Sequence, residues 1–141
     1  MRALDGKTRS LFNEWVGMLG EQYVDRQTGD INNVGPKLIG IFELVPGVKV
    51  APDSIDQSFE PPTIGDVKVG LYSDYDQAEE LATLVEKGWA TPGMIYFLES
   101  PITGEVGAKR GISSLLKLAG FDFVYFRGPW WELFQVPKGY G

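Results

Sequence analysis

The chain reads as an α+β protein: one domain over residues 1–141, a mixed or mainly antiparallel sheet, two to three helices and an aromatic β-hairpin at the C-terminal end. Three observations lead there. Apolar side chains recur at three- and four-residue spacing in separate segments, runs of β-branched and aromatic residues lie between them, and Gly and Pro divide the two kinds of segment at short intervals. With 141 residues and 43% hydrophobic content, the chain has the size and apolar fraction of a single packed core.

From Asp5 to Tyr23, Leu4, Leu11, Phe12, Trp15, Met18, Leu19 and Tyr23 fall on one stripe and predict an amphipathic opening helix, capped by Asp5 or Thr8. Polar turn residues follow as far as Gly35-Pro36. Lys37 to Val45 and Val48 to Ala51 then suggest a hairpin about Pro46-Gly47. Residues 52–65, with Pro52, Pro61 and Pro62 among polar residues, predict an irregular connection, and Asp66 to Ser73 a strand. Asp74 followed by Gln77 has capping-box character. It opens a helix that buries Tyr75, Ala78, Leu81, Ala82 and Val85, wets Glu79, Glu80, Glu86 and Lys87, and closes at Gly88. Thr91-Pro92-Gly93 predicts a turn into the interior strand Met94 to Glu99, whose neighbour is expected beyond the turn Pro101-Ile102-Thr103-Gly104. A shorter helix, Ile112 to Ala119, ends at Gly120. Phe121 to Phe126 and Trp130 to Val136, joined by Arg127-Gly128-Pro129, predict the closing hairpin.

Composition narrows the chemistry. The chain contains neither His nor Cys, which removes imidazole acid–base catalysis, thiol nucleophiles, disulfides and the usual zinc ligands. The net charge of −6 repels nucleic acid and anionic lipid on average, and of the dispersed basic residues only Lys109, Arg110 and Lys117 fall near one another. The charged start Met1-Arg2-Ala3-Leu4-Asp5-Gly6-Lys7 lacks the apolar core of a secretory signal, and no run approaches the ~20 apolar residues of a membrane span. A soluble chain with no membrane partner is expected, its compartment left open.

One spacing carries possible chemistry. Pro52-Asp53 is followed by Asp66-Val67-Lys68, and strand periodicity puts Asp66 and Lys68 on one face while Asp53 approaches from the preceding connection. Two carboxylates can hold Mg²⁺ and a lysine can position the nucleophile. The pattern resembles the P-D…(D/E)-x-K signature of metal-dependent nucleases, as does the order helix, strands, helix, strand; Glu14 or Glu21 of the opening helix would supply a further ligand. The competing reading makes Asp53 a turn residue and leaves Asp66 and Lys68 on a solvent-facing strand edge. Carboxylate pairs for glycoside hydrolysis, such as Glu43 with Glu99, are available but unfixed in separation.

The C-terminal end is rich in large rings. Alternation sends Phe121, Phe123 and Tyr125 one way and Val124 and Phe126 the other, so both faces of the expected hairpin are apolar. The favoured reading is therefore a non-enzymatic structural or interaction subunit of a larger homo- or hetero-oligomeric protein assembly, compatible with a virion or phage particle component and needing no cofactor. Its expected anchors are Trp130, Trp131, Phe134 and Tyr140. The alternative is the Mg²⁺-dependent nuclease using Asp53, Asp66 and Lys68, with Mg²⁺ as its only cofactor. A second alternative is an inhibitory protein that binds a host factor.

Overall fold

The computed structural model of the chain describes residues 6–32 and 51–134. In chain order these form helix α1 (Gly6–Thr28), strands β1 (Ser54–Asp56), β2 (Thr63–Val69) and β3 (Leu71–Tyr72), helix α2 (Tyr75–Glu86), strands β4 (Thr91–Leu98) and β5 (Gly107–Ala108), helix α3 (Arg110–Ala119), strand β6 (Asp122–Phe126) and a closing 3₁₀ helix (Trp130–Leu133). The main sheet is mixed, in the order β1-β2-β4-β6, with β1 antiparallel to β2 and the pairs β2–β4 and β4–β6 parallel. A small parallel sheet pairs β3 with β5. The α+β class with a mixed sheet and three α-helices among the described residues is as the sequence predicts.

Strand alternation divides the core into two layers. Ile64, Ile95, Phe97 and Phe123 face α2 and α3, meeting Ala78, Leu81 and Leu84 of the first and Ile112 and Leu116 of the second. Val67, Tyr96, Leu98, Val124 and Phe126 face the other way, toward Leu19, Tyr23 and Val24 of α1 and the indole of Trp130. β4 lies between two parallel neighbours, and the buried run Ile95–Leu98 explains its unbroken apolarity.

Helix α2 begins where its cap predicts, with Asp74 Oδ1 accepting from Gln77 N at 3.1 Å. Tyr75 is exposed rather than buried, because the inward stripe runs through Ala78, Leu81, Ala82 and Leu84. Among the described side chains of α1, Val16, Gly20 and Val24 are buried, whereas Leu11 and Met18 of the expected stripe are exposed.

Four expectations are corrected. Ser54–Asp56, inside the expected irregular connection, pairs with Thr63–Gly65, since cross-strand bonds override the loop-like composition. Thr91-Pro92-Gly93 does not turn; it is the start of β4, with Thr91 opposite Thr63 and Pro92 opposite Ile64. The segment beyond Pro101–Gly104 forms β5, which pairs with β3, so the neighbours of β4 are β2 and β6. The second strand of the closing hairpin is replaced by the 3₁₀ helix, because Trp130 drops into the α1 layer and its Nε1 donates to Glu99 O at 2.7 Å. The expected hairpin about Pro46-Gly47, Glu43 and Tyr140 lie outside the described residues.

Candidate active site

Asp53 and Asp66 come together because of strand register. Ser54 pairs with Gly65, which sets the residue before β1 opposite the next residue of β2. Asp53 Oδ2 accepts from Val67 N at 2.9 Å, and Asp53 N donates to Asp66 Oδ1 over a long 3.4 Å. Both acids are buried, 4% and 3% exposed. The solvent-facing edge considered for Asp66 is thereby excluded: its side chain shares the α2 face of β2 with buried Ile64.

Lys68, two residues along the same face, places Nζ 3.3 Å from Asp66 Oδ2 and donates to Gln77 Oε1 of α2 at 2.6 Å. Its ammonium also lies 4.7 Å from the ring centre of Tyr72. A quarter of the lysine side chain is open to solvent, so it forms the wet margin of an otherwise buried cluster. The turn that brings Tyr72 beneath it depends on Gly70, whose φ of +83° breaks the expected Asp66–Ser73 strand into β2 and β3.

The electrostatics follow from this packing. Burial, reinforced by the negative charge of Asp53, raises the Asp66 carboxyl well above the ordinary carboxylate range, while Lys68 opposes the shift. Asp66 Oδ2 and the Tyr72 hydroxyl are buried side-chain oxygens without a hydrogen-bond partner among the described residues. An ion pair at 3.3 Å that lacks hydrogen-bond alignment leaves Oδ2 only partly compensated.

Asp53 and Asp66 together present two carboxylates, the lower end of what a hard divalent cation takes from a protein. Mg²⁺ commonly takes one or two protein carboxylates and completes its shell with water and phosphate oxygens. Of these two carboxylates, Asp66 already has its Oδ2 3.3 Å from the Lys68 ammonium. Among the described residues no group of three or more acidic side chains is placed to hold a metal. The further ligand expected from Glu14 or Glu21 has no support from the layering, because α1 packs on the opposite face of the sheet from Asp66 and Lys68.

The other sequence candidates are dispersed. Trp130, expected as an anchor, is 4% exposed and belongs to the protein's own core, stacked edge-on with Trp131 and Phe134. Trp131 and Phe134 are half-buried in that cluster, with Arg26 5.0 Å from the Phe134 ring. Glu99 is structural, its Oε2 accepting from Gly128 N at 3.1 Å. The sequence reading missed Tyr72 and assigned Gln77 only to a cap; a polar residue one turn into α2 gives no sign that its side chain will reach back to β2.

A hollow of about 290 Å³ lined by Asp30, Asn32, Ser54 and Asp56 lies beside β1, and none of Asp53, Asp66 and Lys68 lines it. Lys109 and Arg110, by contrast, follow β5, which pairs with the strand that carries Tyr72. Tyr72 pairs with Ala108, Lys109 N donates to Tyr72 O at 3.1 Å, and both basic side chains are exposed at the start of α3. No helix among the described residues is long and apolar enough to cross a membrane. Comparison with protein-family models, curated proteins and solved structures finds no match.

Proposed function

We propose that the chain is a Mg²⁺-dependent nuclease whose reaction centre is Asp53, Asp66 and Lys68. The observation that carries this reading is the convergence of residues thirteen positions apart into a buried carboxylate pair with a lysine on it. Two buried acids repel one another and stay poorly solvated, a costly arrangement for a purely structural element and a suitable one for a cation-binding centre.

In this reading Asp53 and Asp66 offer oxygen ligands, and the Val67 amide orients the first of them. Lys68 places a positive charge at the open edge, where it can hold a phosphate oxygen; Gln77 fixes the ammonium from the side of α2. A bound Mg²⁺ would supply Lewis-acid polarisation of the phosphate and acidify a water. Hydrolysis forms a bond from a water oxygen to phosphorus and breaks a phosphorus–oxygen ester bond, with a proton going to the leaving oxygen. Lys109 and Arg110 give local attraction for the phosphate backbone in a chain whose overall charge opposes it.

The interaction-subunit reading loses one of its four expected anchors, since the Trp130 indole is covered by the protein's own α1 layer while Trp131 and Phe134 are half-buried. The discriminating experiment is cleavage of single- and double-stranded DNA and RNA with Mg²⁺ or Mn²⁺. Asp66→Asn and Asp53→Asn are each expected to lower the rate by about 100-fold or more. Absence of cleavage by the wild type, or equal cleavage by wild type and Asp66→Asn, rules the nuclease out.

A further inference from the structure

The two edges of the main sheet are finished differently. At one, the outward backbone groups of β1 are closed by Asn32, the chain having just left α1: Asn32 Nδ2 donates to Ile55 O at 2.7 Å and Ile55 N donates to Asn32 Oδ1 at 2.9 Å. At the other, β6 pairs with β4 alone among the described strands. Parallel pairing uses alternate residues, and Phe126 O accepts from Glu99 N at 3.0 Å. Asp122, Val124 and Phe126 therefore bond inward, and the backbone groups of Phe123 and Tyr125 point to the outer edge. The strand Asp122–Phe126 holds no Lys, no Pro and no break in register, the devices that usually protect an edge. Tyr125 is 46% exposed, although its ring stacks on Phe97.

We propose that the outer edge of β6 pairs antiparallel with β6 of a second copy of this chain, about a two-fold axis at Val124. In this register the outward groups match, since Phe123 exchanges both backbone bonds with Tyr125 of the second copy and Tyr125 does so with its Phe123. Aromatic rings then stand opposite one another on the α2 and α3 face of the sheet, and Val124 meets its own counterpart on the α1 face. Charge selects a second copy in this orientation. Exposed Asp122 begins the strand and exposed Arg127 follows it, so antiparallel pairing lays each acid beside the other copy's guanidinium, whereas parallel pairing aligns like with like. Because Asn32 closes β1, each chain offers one open edge and the pairing stops at a dimer. None of this depends on the metal-site reading.

The test is sedimentation of the full chain over a range of concentrations, with NMR amide exchange at the lowest and the highest. A monomer–dimer equilibrium is expected in which exchange at the Phe123 and Tyr125 amides slows as the dimer fills, while the amides of Asp122, Val124 and Phe126 are protected throughout. Arg127→Glu changes an exposed side chain and is expected to leave the unfolding temperature of the monomer near wild type while weakening dimerisation about tenfold; adding Asp122→Lys to it should restore the dimer. A monomer at every concentration overturns the inference, as does a dimer whose Phe123 and Tyr125 amides still exchange freely. Protection of those two amides in the monomer would mean that the chain covers its own edge, which also overturns it. Dimerisation that Arg127→Glu leaves unchanged, or that the double variant fails to restore, removes the proposed register and the inference with it.

Discussion

Asp66 shows how a single side chain can be held at a cost to stability. Its carboxyl titrates above the ordinary value of 3.8 because burial and Asp53 disfavour the charge. The folded state thus keeps the proton to higher pH than the unfolded chain does. Stability from protonated Asp66 is fully present below about pH 3.8 and is lost as pH rises through the folded-state value, so the ionised group is a penalty at neutral pH. Asp66→Asn, which removes the charge and retains a similar shape, is expected to stabilise the metal-free protein at pH 7 on the order of 1 kcal/mol. The gain should shrink as pH falls toward 4. Thermal unfolding of both proteins across that range measures it, and a gain independent of pH would assign the effect to something other than charge burial. Stabilisation with loss of cleavage is the expected signature of a side chain kept for function.

The β2–β4 pairing decides where that side chain points. Ile64 faces Pro92 and Asp66 faces Ile95, so one step of two residues on β2 spans three on β4. This bulge sits directly beside the carboxylate pair, a common location for a device that re-aims a functional residue. Gly65 lies in the tight part, where an added Cβ would come within 2.5 Å of Met94 O. Backbone cannot retreat as a flexible side chain can. Gly65→Ala is expected to cost about 1–3 kcal/mol in denaturant unfolding and to disturb the site through Asp66. A variant as stable as wild type would mean that the strands have room to separate there. Sequence patterning could not foresee this bulge, since Pro92 and Gly93 look like turn residues until the parallel neighbour supplies their partners.

Viewed as a whole, the protein carries net charge −6, yet the β3–β5 pairing sets the backbone of Lys109 beside Tyr72, the residue whose ring meets Lys68. Under the nuclease reading the Lys109 and Arg110 side chains make phosphate contacts. Lys109→Glu with Arg110→Glu is expected to weaken nucleic-acid binding about tenfold or more at low salt and to reduce the salt slope of the affinity. Mg²⁺ binding should stay near wild type. Equal affinity and slope in wild type and variant would place the phosphate track elsewhere. The same architecture moves the C-terminal aromatic residues inward: Phe97 receives Phe123 and Tyr125 on one face of the sheet, while Trp130 and Phe126 pack with Tyr23 on the other.

Local chemistry was sufficient for α2, α3 and the interior run of β4, because caps, helical spacing and unbroken apolarity act over a few neighbouring residues. It also singled out Asp53, Asp66 and Lys68 as candidates, since identity and spacing along a strand are one-dimensional facts. Their meeting, the burial of the two acids, and the recruitment of Tyr72 and Gln77 depend on register between segments distant along the chain. Trp130 shows the same limit from the other side. Its alternation with Phe134 suggests a strand, but the hydrogen bond to Glu99 and the space beside α1 turn it into the core. Pairing and burial are properties of the assembled layers, so they leave little trace in the order of residues.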